Sequence, residues 1–511
     1  MPYQPFLPYQ PLAPGESLGP TILYQAPLPE TVPPGGVPAA PVIPGAVPAV
    51  EGAPPPANIP STPTRLLPVL PTELGAVRPV FRFQPALSLS EEYTDNFDLT
   101  KTNRHSNFRT AIAPTTIFSL DSAFTKGIVA YTFTANRDTF QDEWLYFHSL
   151  LGQFSWQATQ RLRFTIADSF THNDQPLEAD ALGLRRQRGA FTTNALSFSA
   201  DYKIDRVETR EYYRWNTFSD DSTGGTSTTT QVIGASALFP LYLENLATLG
   251  YSYLTSHTSQ SSGSTSTNGG TQGSVGSQDV SGHEVTVSFA HTFNPLVTAG
   301  VTGSYAIRDV TGDLTNNGNF QLWNAALYGT YGTLPFTVTG KVGVTGLNSD
   351  TNGSRGPDLT MAINATYAWT RTVLSFAADH GFSETFQSGE NFGVVETTGV
   401  GATLTHSFTP RTSLTLNAYY RKTETTGIGG GQSVAGGPNV SSSNQDVNES
   451  VGASARLTVS LLRWLFLNLA YTYTQRFDNG ATGTTTTTSG TTVSNQGYTE
   501  NRGRISFDFV F

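Results

Sequence analysis

The segment Arg504-Ile505-Ser506-Phe507-Asp508-Phe509-Val510-Phe511 decides the fold. Ile505, Phe507, Phe509 and Phe511 share one parity, and Arg504, Ser506 and Asp508 share the other. A period of two marks a β-strand with one apolar face, because successive side chains leave the backbone on opposite sides. Working back along the chain, the same alternation recurs. It sets Leu414, Leu416, Ala418 and Tyr420 against Thr415, Asn417, Tyr419 and Arg421, and Val285, Val287 and Phe289 against Glu284, Thr286 and Ser288. Farther back, Leu162, Phe164 and Ile166 oppose Arg161, Arg163 and Thr165.

From about residue 80 the pattern predicts about twenty strands, with 18 to 22 as the range. Their expected starts lie near 81, 108, 123, 145, 160, 194, 207, 229, 246, 283, 296, 320, 335, 359, 372, 398, 413, 451, 465 and 501. Connections alternate between short turns, such as Phe293 to Leu296 and Thr409 to Thr412, and long Ser, Thr, Gly and Asn-rich loops at about 173–190, 255–282, 423–449 and 476–498. That alternation predicts antiparallel up-and-down strands with every short turn at one end. Two turns read as copies, His291-Thr292-Phe293-Asn294-Pro295 and His406-Ser407-Phe408-Thr409-Pro410, so the repeating unit is a hairpin.

Residues 1–78 are different in kind. Of the 31 prolines, 22 lie within residues 1–80, in runs such as Pro54-Pro55-Pro56 that carry neither a period nor a core. They read as an extended or disordered periplasmic arm ahead of a barrel at 79–511. Met1-Pro2-Tyr3-Gln4-Pro5 has no basic or apolar leader region, so a secretory signal is expected to have been removed or to precede Met1.

Composition narrows the class. Only 13% of the 511 residues are charged, well below a typical soluble domain, and no apolar run is long enough for a transmembrane helix. The absence of Cys removes disulfides and thiolate chemistry, and a net charge of -10 argues against nucleic acid as a partner. These features favour lipid outside the barrel: an even strand count, polar loops at one end, and aromatics at strand ends such as Tyr251, Tyr253, Tyr367, Trp369, Tyr471 and Tyr473.

In such a barrel the polar parity faces the lumen. The basic residues on that parity are Arg161, Arg163, Arg210, Arg214, Arg308, Lys341, Arg421, Arg502 and Arg504, against fewer acids, Glu92, Asp201, Asp379 and Asp508. They are the candidate lumen-lining set, and they predict a net basic, anion-leaning pore. The competing reading has these cations paired with lumenal carboxylates, stiffening the wall without selecting solutes. Glu91, Lys126, Asp168 and Glu211 share the parity of apolar neighbours and break the rule, as does Pro114 inside a strand.

No G-x-S-x-G, H-E-x-x-H or P-loop motif occurs, and Asp379-His380, adjacent on a strand, point to opposite faces. Neither an enzyme nor a cofactor is expected. His291, His380 and His406 sit on the apolar parity, which predicts interfacial packing rather than metal ligation.

Phe507-Asp508-Phe509-Val510-Phe511 resembles the C-terminal signal strand of bacterial outer-membrane β-barrels, and Leu87-Ser88-Leu89-Ser90-Glu91-Glu92-Tyr93-Thr94-Asp95-Asn96 resembles the opening strand of the BBP2-like β-barrel porins. The resemblance implies a Gram-negative-type outer membrane, its lipid and the barrel-insertion machinery as partners, Phe507, Phe509 and Phe511 as the insertion signal, and a homo-oligomer. It also implies transport of small hydrophilic solutes or export of a polymer. The alternatives are a structural or adhesive surface protein anchored by a plugged barrel, and a soluble or fibrous β protein that needs no detergent.

Overall fold

The computed structural model describes residues 80–511 except 102–103, 141, 175–189, 221–225, 243, 261–276, 313–317, 334, 351–352, 387–392, 427–446 and 478–496. The arm at 1–78 and most of the long loops therefore lie outside the described residues.

Twenty strands run in chain order: β1 (Val80–Thr94), β2 (Asn107–Asp121), β3 (Thr125–Asp138), β4 (Glu143–Gln157), β5 (Leu162–Asn173), β6 (Phe191–Ile204), β7 (Val207–Asp220), β8 (Thr226–Tyr242), β9 (Asn245–Gln260) and β10 (Ser277–Asn294). They continue as β11 (Val297–Gly312), β12 (Phe320–Thr333), β13 (Phe336–Ser349), β14 (Gly353–Ala368), β15 (Thr372–Glu384), β16 (Val394–Thr409), β17 (Thr412–Thr425), β18 (Val447–Leu462), β19 (Leu465–Arg476) and β20 (Tyr498–Val510). Each pairs antiparallel with the next, and β20 returns to β1 over Ala86–Thr94 opposite Arg502–Val510, which closes the barrel. Carrying the register of the pairings once around returns to β1 displaced by about 24 residues, which for this strand number gives a tilt of about 40° and a backbone radius of about 19 Å.

Strands that climb away from the short turns begin within three residues of their expected starts. All of those descending from long loops except β12 begin earlier, β10 at 277 rather than 283 and β14 at 353 rather than 359. There the backbone ladder outlasts the alternation, because both faces of Ser277-Gln278-Asp279 or Gly353-Ser354-Arg355 are polar. The two copied turns share more than sequence. Each carries a register shift, between Thr292 and Asn294 and between Ser407 and Thr409, and each packs its histidine edge-on against the next-but-one phenylalanine. β2 keeps Pro114 opposite Leu87, but its pairing to β3 skips Ala113 and Pro114, where the ladder lacks an N–H.

Burial is inverted relative to a soluble protein. The apolar parity faces outward, with Ile233 at 60%, Leu327 at 61% and Val342 at 51% exposure, whereas the inward Thr228, Thr230, Thr258 and Gln278 are at 0%. The barrel thus presents an apolar belt to its surroundings and a polar wall to its interior. Phe507, Phe509 and Phe511 lie on the outer parity, and Phe509 stacks on Trp464 at 6.1 Å. Of the exceptions to the charge rule, Glu91, Asp168 and Glu211 do lie on the outer parity, where Glu91 accepts from Thr110 at 2.7 Å. Lys126 is a correction: it shares the inward parity of Asn136 and Asp138.

Candidate functional site

The interior wall is organised in rows, because register places same-parity residues of successive strands side by side. One row runs Arg456, Ala470, Arg504, Glu92, Arg109 and Asp138 across β18, β19, β20, β1, β2 and β3. A second runs Lys341, Ala362, Asp379, Gly399, Arg421, Ser450 and Arg476 across β13 to β19. A third joins Arg163, Asp201 and Arg210 across β5 to β7, and a fourth runs Arg214, Val232, Leu254, Gly282, Arg308 and Phe320 across β7 to β12.

Eight of the nine expected lumenal cations fall on or beside these rows, with Arg502 next to Arg504 on β20. Arg161 is the exception and corrects the expectation: it lies exposed in the turn between β4 and β5, ahead of the first residue of β5. Arg109, Arg456 and Arg476 belong with the set and were missed. All three lie on the inward parity, so the strand register would have found them.

Carboxylates are more numerous inside than the alternation predicted. Asp201 stands between two guanidiniums, at 2.8 Å from Arg163 and 2.5 Å from Arg210. Arg109 is gripped by Asp138 through Nε and Nη2, both at 2.7 Å, and by Asp174 through Nη1 at 3.0 Å and Nη2 at 2.6 Å. Such bidentate, charge-assisted contacts are strong and hold the side chain in one geometry. Arg308, only 1% exposed, lies between Glu384 at 2.8 Å and Glu284 at 3.3 Å. Arg214 sits 4.9 Å above the ring of Tyr212 as a cation–π pair.

The wall formed by β17 to β20 has another balance. Its inward parity carries five arginines, Arg421, Arg456, Arg476, Arg502 and Arg504, and two acids, Glu500 and Asp508. Glu500 accepts from Thr94 at 2.8 Å and Asp508 from Asn468 at 2.7 Å. Glu92 stands 3.9 Å from Arg502, and Arg504 donates to Ser90 at 3.0 Å. Like charges share rows here, Arg456 and Arg504 separated by Ala470, Arg421 and Arg476 by Ser450.

Glycine permits this lining. Tyr419 lies across Gly452, Tyr212 across Gly234 and Arg308 across Gly282, where a Cβ would stand within 2.8 Å of the overlying side chain. A methyl at these positions would lift the long side chains off the wall.

Asp379 and His380 do separate. Asp379 points over Gly399 on the inside, and His380 is bonded to Thr398 at 2.8 Å on the outer parity. His291 and His406 likewise bond across strands, to Asn245 and Thr372, both at 2.8 Å. Among the described residues no group of three His, Cys, Asp or Glu is arranged to hold a metal ion.

Toward the long-loop end the lumen turns apolar. Val232, Leu254, Val280, Val310, Phe320, Leu347, Phe382, Phe386 and Val394 form one buried cluster, none above 7% exposure. β14 and β15 are paired only as far as Met361 with His380; past Gly381, β15 carries Phe382 into this cluster and Glu384 onto Arg308.

No family model and no curated protein matches the chain. Solved structures do. The siderophore receptor PirA from Acinetobacter baumannii aligns at TM-score 0.43 and 9% identity, over 84% of this chain and 80% of that one. A mutant ferric enterobactin receptor, PfeA of Pseudomonas aeruginosa, in complex with enterobactin, aligns at 0.43 and 11%, over 84% and 81%. PiuA from Acinetobacter baumannii aligns at 0.43 and 9%, over 83% and 82%. At this distance, what those receptors bind says nothing about this chain.

Proposed function

We propose that the chain is an outer-membrane, porin-like channel for small hydrophilic solutes that leans toward anions. The observation that carries it is the inversion of burial in a closed barrel: an apolar belt outside and rows of charge inside. A surface of this kind is stable against lipid, where an Arg or Lys at the midplane costs roughly 2–4 kcal/mol. With twenty strands the lumen is too wide to be filled by wall side chains alone. The anion preference rests on the arginine excess of β17 to β20, since fixed cations lower the barrier for anions in a water-filled pore. In this reading Phe507, Phe509 and Phe511 serve as the insertion signal and outer-membrane lipid contacts the belt. Purified protein in a planar bilayer gives discrete conductance steps; folded protein that gives none sinks the open channel.

One observation favours a second reading, an anchor with a closed barrel: the buried apolar cluster at the loop end. Leu347→Ala with Phe386→Ala distinguishes the two. In the channel these changes leave single-channel conductance within about a factor of two, whereas in the closed anchor conductance steps appear only in the double variant.

A further inference from the structure

Consecutive short turns on one side of the barrel each present an exposed arginine. They are Trp369-Thr370-Arg371 between β14 and β15, Thr409-Pro410-Arg411 between β16 and β17, and Leu462-Arg463-Trp464 between β18 and β19. Backbone bonds stitch each turn to the next: the Arg371 carbonyl accepts from Ser407 at 2.8 Å, and the Arg411 carbonyl from Ser460 at 2.7 Å. One basic patch thus runs along the short-turn end, which in an outer-membrane barrel faces the periplasm.

No acid lies in these turns, and among the described residues none of the three guanidiniums is in an ion pair. Arg371 Nη1 donates to the Phe408 carbonyl at 3.3 Å, which holds it along the rim. The short turns on the far side are balanced instead. Asp121 faces Lys126, Glu208 accepts from Lys203 at 3.1 Å, and Asp205 and Glu244 lie in the β6–β7 and β8–β9 turns.

Aromatic rings frame the arginines. Trp369 packs edge-on against Tyr367 at 4.6 Å, Phe408 against His406 at 4.7 Å, and Trp464 stacks on Phe509 at 6.1 Å. Tyr367 and Phe509 belong to the outer parity, so these exposed rings carry the apolar belt down to the charges. Amphipathic rings of this kind sit at the headgroup level of a bilayer. A partner that satisfies both features has an anionic head on an apolar body. A soluble acidic polymer would use the arginines and leave the rings bare, and a zwitterionic lipid would bring its own ammonium against the arginines. A phosphodiester offers paired oxygens that match the guanidinium fork.

We infer that the short-turn end of β14–β19 is a binding site for anionic phospholipid, with the phosphodiester held by Arg371, Arg411 and Arg463 and the acyl chains laid on the belt beside Trp369 and Trp464. The inference rests on the outer-membrane reading for lipid against the belt and needs no open pore. Native mass spectrometry of the folded full chain in detergent, with phosphatidylglycerol and phosphatidylcholine added in equal amounts, tests it. Each interfacial cation favours an anionic headgroup about fivefold, so phosphatidylglycerol should be bound about a hundredfold in preference. Arg371→Gln, Arg411→Gln and Arg463→Gln should each lower that preference about fivefold, and together bring it within about twofold of parity. Lys126→Gln with Arg161→Gln and Arg206→Gln removes the same net charge from the far side and should lower it less than about twofold. Circular dichroism verifies that the variants are folded. Equal binding of the two lipids by the wild type, a preference that survives the Arg371, Arg411 and Arg463 substitutions, or an equal loss in the far-side variant would each overturn the site. Polyglutamate bound in place of lipid would overturn it too and assign the patch to an acidic soluble partner. A lipid preference without conductance refutes only the channel, and conductance without the preference refutes only the site.

Discussion

The β7–β11 wall and the β17–β20 wall share one strand geometry and opposite electrostatics. On the first, Arg308 is enclosed by Glu284 and Glu384, and Arg210 is tied to Asp201. On the second, five arginines face inward with two acids, and like charges occupy the same rows. The difference shows that counting lumenal cations does not predict a field. A cation flanked by carboxylates is structural and its charge is cancelled locally, whereas cations that share a row sum their potentials in the pore.

If that division is right, substitutions on the two walls should have opposite signatures. Arg308→Gln takes the cation away from the buried Glu384 and from Glu284 and should cost about 3–5 kcal/mol, read by urea unfolding in lipid vesicles. A cost below 1 kcal/mol would mean that the pair is not the lock it appears from its distances. On the outer belt, Leu469→Arg should cost about 2–4 kcal/mol in the same assay. A neutral result there would remove lipid from the outside of the barrel. Arg456→Gln with Arg504→Gln removes two fixed cations from the β17–β20 wall, so the anion preference should fall while the barrel stays folded. The smallest effect belongs to Arg163→Gln, which leaves Asp201 paired with Arg210 and should cost about 1 kcal/mol. A larger loss would show that Asp201 needs both partners.

Much of the architecture was legible because a closed barrel with an apolar exterior and a polar lining enforces it. A strand with one apolar and one polar face must alternate, so Ile505, Phe507 and Phe509 or Val285, Val287 and Phe289 announce both the strand and its outer face. Where the apolar belt ends, the constraint ends, and the upper parts of β10 and β14 were invisible for that reason. Lumenal charge was half legible. Parity found Arg163, Arg210, Arg308 and Arg504, but partnership depends on register and on which strands bend. Glu384 reaches Arg308 from four strands away because β15 leaves β14 after His380, and no local pattern encodes that contact. Arg161 failed for the converse reason: it keeps the parity of Arg163 but lies beyond the end of the strand, in the turn.

Row and wall together make the central claim, an ion-conducting lumen biased by the β17–β20 arginines. Its most direct test is the reversal potential of the purified protein in a planar bilayer under a potassium chloride gradient. The wild type should reverse with the sign of chloride permeation, and Arg456→Gln with Arg504→Gln should move that potential toward zero while leaving the barrel folded. Potassium selectivity in the wild type, or a reversal potential unmoved by the double substitution, would contradict the account.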